Sequence, residues 1–227
     1  MKSSEILMVE SNIGPFSIAI SSCKAGDMGL KNTDNALRRA KLFKKMKLEK
    51  LIPVRNRQVH SNRIIDAYEG MDEEADGIIT DDFKFAPFIL TADCYNIFFN
   101  TENEKKFGIV HAGWRGIANG IVEELAGKMK GDSKVIIAQG ICQNHFEVKS
   151  DVMHLFSNKY GDEHIISDKK GSYRIDLRSM IEKILSDHAE VSHIKLCNIC
   201  ESGKLYSYRQ NSAEERNLSI IWRKDYA

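Results

Sequence analysis

Apolar and polar positions follow two rhythms along this chain. FSIAIS (16–21), LIPVRNRQVH (51–60), ADGIIT (75–80), FAPFILTADC (85–94), KFGIVHAG (106–113) and SKVIIAQGI (133–141) are strand-length blocks rich in β-branched and aromatic residues. SYRIDL (172–177), HIKLCNIC (193–200), KLYSYRQ (204–210) and LSIIWR (218–223) read the same way. Between them the period lengthens. TDNALRRAKLFKKMKL (33–48) has Thr33 or Asp34 as a candidate N-cap and Leu37, Leu42 and Met46 on one face. Its basic residues form the solvated face. IANGIVEELAGKMK (117–130), SDVMHLFSNKYG (150–161, opening on a Ser-Asp cap) and RSMIEKILSDHA (178–189) are further amphipathic helices. Strands and helices are mixed without strict alternation, which predicts an α+β fold, a mixed α/β sandwich, and not a doubly wound sheet. Only three prolines occur, and no Gly/Ser-rich linker or repeat divides the 227 residues, so residues 1–227 are expected to form a single domain.

Composition narrows the partners. With a formal charge of +1 the chain offers no electrostatic reason to expect nucleic acid or an anionic membrane. No apolar stretch reaches the length of a membrane span, and MKSSEILMVESNIG (1–14) lacks a leader's apolar run, so a cytoplasmic location is expected. Five cysteines, an odd number, argue against a disulfide framework. No GxGxxG follows a strand and no GxxxxGK[ST] occurs, so dinucleotide and P-loop chemistry fall away.

Three predicted strands give out at polar residues: His60, Asp93-Cys94 and His111. Two imidazoles and a thiolate suit a borderline-soft divalent ion, and three protein ligands with one open position is the layout of a catalytic zinc site. A buried structural cysteine and hydrogen-bonded histidines are the ordinary alternative. A metal-free Cys94–His111 nucleophile–base pair is another, and it leaves His60 without a task. The turn Gly113-Trp114-Arg115-Gly116 precedes a helix, where free amides and Arg115 suit a phosphate. Two other pairs are weak signals. Cys197-x-x-Cys200 lies in a predicted strand, where alternating faces disfavour shared ligation, and Cys142-x-x-His145 stands alone.

The segments RQVHSNRI, ADGIIT, TADCYNIFF, GIVHAGWRGIANGI, QGICQNHFEV and CESGKLYSYRQ occur in that order. Over roughly residues 15–223 the series resembles the laccase-domain family, long labelled multicopper polyphenol oxidases and later assigned as purine nucleoside phosphorylases. The resemblance implies a zinc (Zn2+) site at His60, Cys94 and His111, with Asp93, Arg115 and Arg209 in or near the pocket; Gly113 and Gly116 are expected at the phosphate from the turn itself, where glycine lets a ligand approach the backbone. It implies phosphorolysis of adenosine, inosine, guanosine and methylthioadenosine, possible deamination of adenosine, and for some members editing of cell-wall precursors. Small purine nucleosides and phosphate are then the partners. The fold it implies resembles that of toxins that deamidate glutamine with a Cys-His pair. The chain departs from the family pattern at Ser61 (usually Gly), Asn96 (usually Pro), Ile141 (a lost Pro), Glu201 (usually Thr) and Gln210 (usually Arg). These departures put substrate preference in question more than the metal triad. The laccase label itself fails a count: a blue-copper centre plus a multinuclear copper cluster takes more histidines than the seven here. Copper is expected only as an adventitious occupant.

Overall fold

The computed structural model describes residues 5–9, 13–31, 33–167, 171–211 and 214–227. Part of the N-terminal stretch read above as lacking a leader lies outside them. In chain order the elements begin with β1 (Ile6–Val9), β2 (Phe16–Ser21), α1 (Thr33–Lys45), β3 (Ile52–Val54), β4 (Ile64–Asp66) and β5 (Gly77–Thr80). There follow β6 (Phe85–Thr91), β7 (Tyr95–Thr101), β8 (Lys106–Ala112), α2 (Trp114–Ala118), α3 (Ile121–Lys128) and β9 (Lys134–Ile137). The chain continues through β10 (Glu147–Val148), α4 (Ser150–Tyr160), β11 (Ile165–Ser167), β12 (Tyr173–Ile175) and α5 (Leu177–Leu185). It closes with β13 (Glu190–His193), α6 (Tyr208–Asn211) and β14 (Asn217–Arg223).

Two mixed sheets stack face to face, one ordered β1-β2-β14-β6-β3 and the other β13-β9-β7-β8-β5-β4. Strand alternation explains the packing. Phe16, Ile18 and Ile20 of β2, Ile89 of β6 and Ile221 of β14 point inward to meet Phe98, Phe107, Ile109 and Ile136. Phe16 and Phe107 stack at 4.6 Å between centroids. The intervening positions face out to helices. Ala19, Phe88, Leu218, Ile220 and Trp222 pack under α1. Tyr95, Ile97, Phe99, Val110, Val135 and Ile137 pack under α2, α3 and α5. The result is a helix–sheet–sheet–helix sandwich, the mixed α/β architecture that the sequence predicts. A small sheet, β10-β12-β11, lies beside it.

Several expectations are corrected. Leu37 lies on the exposed face of α1 at 60% exposure, and burial there falls on Asn35 and Leu42. The expected helix over 117–130 is two helices and starts earlier, at Trp114; Gly120, at φ +95°, breaks it. Ser150 opens α4 without a side-chain cap, the cap position being Lys149. β1, β4 and β7 add strands where none was assigned. Residues 194–200 and 204–207 belong to no named strand, and Tyr208 starts α6.

Candidate metal centre at the mouth between the sheets

At one end of the sandwich the chain crosses between the two sheets from β3 to β4, from β6 to β7 and from β13 to β14. His60 lies on the first crossing and Cys94 on the second. His111 is the penultimate residue of β8, which pairs with both β5 and β7. The sheet stacking therefore brings together three residues separated by up to 51 positions. His60 Nε2 lies 3.8 Å from Cys94 Sγ, and the two imidazoles meet edge to face at 4.9 Å between centroids. One ligating atom from each of the three lies within 4.8 Å of the others. His60 (φ 60°) and Asp93 (φ 83°) occupy the left-handed region without being glycine, so backbone strain sits on the first two crossings. Gln58 ties the first crossing to β6: its Nε2 donates to the Leu90 carbonyl and its Oε1 accepts from the Leu90 N–H, both at 2.9 Å.

Gly113 backs this group. A Cβ there would stand 2.6 Å from His60 Cδ2 and 2.9 Å from Cys94 Sγ, so the residue is needed for space and not for conformation. Gly116 is buried within α2, where a Cβ would stand 3.1 Å from the Ser61 carbonyl. α2 is only five residues long, which leaves little dipole for an anion.

Asp76, given no role in the sequence analysis, organises the centre. It precedes β5 directly opposite His111, whose N–H donates to the Asp76 carbonyl at 2.7 Å. His111 Nδ1 lies 2.7 Å from Asp76 Oδ1. The same carboxylate accepts the His60 N–H at 3.0 Å and the Ser61 hydroxyl at 2.8 Å. Donation from Nδ1–H fixes the His111 tautomer and leaves its other nitrogen to a ligand. One fully buried acid thus sets one histidine's ring and the other's backbone. Its only signal was a carboxylate at the head of an otherwise apolar strand.

The charges reinforce one another. Burial alone would push the Cys94 thiol up, but the adjoining His111 and hydrogen bonds from both imidazoles bring it down to about 6. Burial would push His111 down, but the Cys94 charge and the Asp76 carboxylate hold it at about 9. Without metal the pair is a thiolate and an imidazolium through the neutral range. A thiol with a value near 6 gains thiolate as pH rises through 6, so Cys94 in metal-stripped protein is expected to alkylate with a midpoint near pH 6. An ordinary thiol titrates near about 8.5. Iodoacetamide labelling of the Cys94 peptide across pH checks this, and a midpoint near the ordinary value would discard the ion pair.

The centre floors a cleft of about 750 Å³, within the size range of small-molecule sites. Asp93, Arg115 and Arg209 all line it. Asp93 makes no hydrogen bond to a ligating histidine; its Oδ2 accepts the Arg209 N–H at 2.7 Å, and Tyr208 N–H and the Ser207 hydroxyl also bond to the carboxylate. It thereby holds the start of α6, while Oδ1 is buried without a partner among the described residues. Burial raises its pKa, and those hydrogen bonds offset the rise only in part. Arg115 stacks on Trp114 at 4.3 Å, and Arg209 reaches the Glu147 carbonyl at 2.9 Å. No salt bridge is formed by either arginine among the described residues, whereas Lys31, Arg55 and Arg57, which also line the cleft, are each paired with a carboxylate.

A second group of ligating side chains corrects the sequence reading. Cys142, His145, Cys197 and Cys200 converge in two turns. The strand assigned to 193–200, on which shared ligation was disfavoured, ends at His193.

A family model described as multi-copper polyphenol oxidoreductase laccase matches residues 18–224. A protein of Haemophilus influenzae named purine nucleoside phosphorylase is 28% identical over 188 residues, covering 75% of this chain and 74% of its own length. One of Rickettsia prowazekii with the same name is 33% identical over 139 residues, covering 57% of this chain and 58% of its own. A crystal structure from Neisseria meningitidis superposes with a TM-score of 0.88 at 23% identity, over 97% of this chain and 99% of that one.

Proposed function

Since the chain belongs to the multi-copper polyphenol oxidoreductase laccase family, we propose that it is a zinc-dependent purine nucleoside phosphorylase with adenosine deamination as a second outcome. The observation that carries this is the convergence of His60, Cys94 and His111 on the floor of a cleft that also presents Arg115 and Arg209. The names of the relatives from Haemophilus and Rickettsia agree with it. Oxidase chemistry has less support. Among the described residues only two groups of three or more metal-ligating side chains occur, and neither is an imidazole-rich copper cluster.

The donor set fits zinc: two imidazoles, a sulfur already poised as thiolate, and one histidine with its tautomer fixed by Asp76. The same donors accept copper as an adventitious occupant. Zinc bound there would supply a Lewis acid and acidify water. The chain's own residues do the rest. Arg115 and Arg209 hold phosphate, and Trp114, Phe146 and Tyr208 offer faces to a purine. Phosphate oxygen bonds to the sugar's anomeric carbon as the bond to the base breaks, and the base leaves with that electron pair and gains a proton. Asp93, whose pKa is raised by burial, is the proposed proton carrier.

Incubation of the pure protein with adenosine and phosphate, followed by chromatography, tests the reading. Adenine with ribose-1-phosphate is the expected product, and inosine would reveal the deaminase branch. Untouched adenosine would overturn it in favour of the Cys94–His111 hydrolase that the thiolate–imidazolium pair permits. Arg115→Ala is expected to raise the phosphate KM about 10- to 100-fold, the worth of a charged hydrogen bond at about 1.5–3 kcal/mol, with the adenosine KM nearly unmoved. An unchanged phosphate KM would remove Arg115 from that role.

A further inference from the structure

β9 and β13 are parallel neighbours, Val135 beside Val191, so the turns that follow them emerge side by side. The turn after β9 carries Cys142 and His145, and the turn after β13 carries Cys197 and Cys200. His145 Nδ1 lies 3.2 Å from Cys142 Sγ, 3.7 Å from Cys197 Sγ and 3.6 Å from Cys200 Sγ. Cys142 Sγ and Cys200 Sγ are 3.9 Å apart. These distances decide between the ordinary explanations. A disulfide would bring two sulfurs to about 2.05 Å, and all five cysteines are free. A hydrogen-bonded imidazole nitrogen serves one sulfur well, yet here one nitrogen faces three at similar range. A tetrahedral zinc with bonds of about 2.3 Å to sulfur and about 2.0 Å to nitrogen spaces its ligands at about 3.8 Å (S to S) and about 3.5 Å (S to N). The observed set straddles those values.

We propose that Cys142, His145, Cys197 and Cys200 form a second, structural zinc site of three thiolates and His145 Nδ1. Four protein ligands close the coordination sphere, which distinguishes it from the three-ligand centre in the cleft. The Cys142 N–H donates to Cys197 Sγ at 3.4 Å, the kind of contact that favours a thiolate ligand. Its location gives it a task. Ile141 and Phe146 flank the first pair of ligands, Tyr208 and Arg209 follow the second, and all four line the cleft. The Ile141 N–H also donates to the Asp93 carbonyl at 2.8 Å. Zinc here staples two walls of the cleft to each other.

Elemental analysis of the purified, zinc-loaded protein is expected to find two zinc ions per chain, and one in the Cys142→Ser/Cys200→Ser double variant. Cobalt gives an independent readout. Thiolate-to-cobalt charge-transfer absorption in the cobalt-loaded wild type should correspond to four thiolates, three here and one at Cys94, and should fall to one in the double variant. If that variant does not fold, the Cys94→Ala protein serves: it should retain one cobalt with three-thiolate absorption. Equal metal content in wild type and double variant, loss of all charge-transfer absorption in Cys94→Ala, or a Cys142–Cys200 disulfide found by peptide mapping would each overturn the assignment. Failure of the cleft centre alone looks different, with one zinc in the wild type and none in the double variant.

Discussion

Cys94→Ala is expected to yield a folded protein that binds one metal ion fewer and loses at least about 100-fold in kcat/KM for nucleoside phosphorolysis. The floor for that figure comes from outer partners of metal ligands, whose loss alone costs about 10- to 100-fold; a ligand contributes more. Cys94 supplies the centre's only sulfur and the negative charge that faces the His111 imidazole. On either side of it the Asp93 carbonyl accepts the Ile141 N–H and the Tyr95 hydroxyl donates to the Ile141 carbonyl, bonds that do not involve Sγ and remain in the variant. Elemental analysis, circular dichroism and steady-state kinetics on one preparation check the three parts. Retention of both metal and activity would remove the centre from catalysis. Retained metal with abolished activity would point instead to a cysteine nucleophile.

Asp76→Asn should produce the second largest effect, and in a different pattern. Zinc affinity is expected to fall about 10- to 100-fold, the range for losing a carboxylate behind a metal-binding histidine. In metal-stripped protein the variant should also lose stability in a pH-dependent way. Burial would raise the Asp76 carboxyl, but the hydrogen bond and charge of His111 and the bonds from Ser61 hold it below its ordinary value. Its contribution is therefore present above the unfolded value of about 3.9 and is lost as pH falls through the lower folded value. His111 runs the other way. Its raised value gives stability below the unfolded value of about 6.5, lost as pH rises through about 9. The difference between wild type and variant should peak between about pH 4 and pH 6.5, at about 3–5 kcal/mol, and shrink on both sides. Urea denaturation across pH measures it, and a flat difference would mean that the pair does not carry the charge assigned to it.

Long, uniformly apolar blocks such as 85–91 and 106–112 were legible as strands because burial on both faces leaves one reading for their length. Cys94 and His111 were legible because each stands where such a block gives out; His60 does not, since β3 stops at Val54, and the family resemblance is what singled it out. Asp76 was not legible, because its value lies in pairing β5 with β8 and not in any local pattern. The 204–210 segment misled for a related reason. Its Leu-Tyr-Ser-Tyr alternation imitates a strand, but Asp93, 116 residues earlier, captures the Arg209 N–H and turns the chain into α6. Cys142 and Cys200 lie 58 positions apart, and only the parallel pairing of β9 with β13 makes them neighbours.

The position of β14 has a consequence for how the chain assembles during synthesis. It is inserted between β2 and β6, pairing with both. The five-stranded sheet cannot close until residue 223 has left the ribosome, long after the residues of the cleft centre, 60–111, have emerged. Loop-closure entropy over some 200 residues must be met before that pairing repays it, which makes for slow folding. Through that interval the nascent chain carries bare thiols and imidazoles and open strand edges, and it is then that it is most exposed to misligation and aggregation.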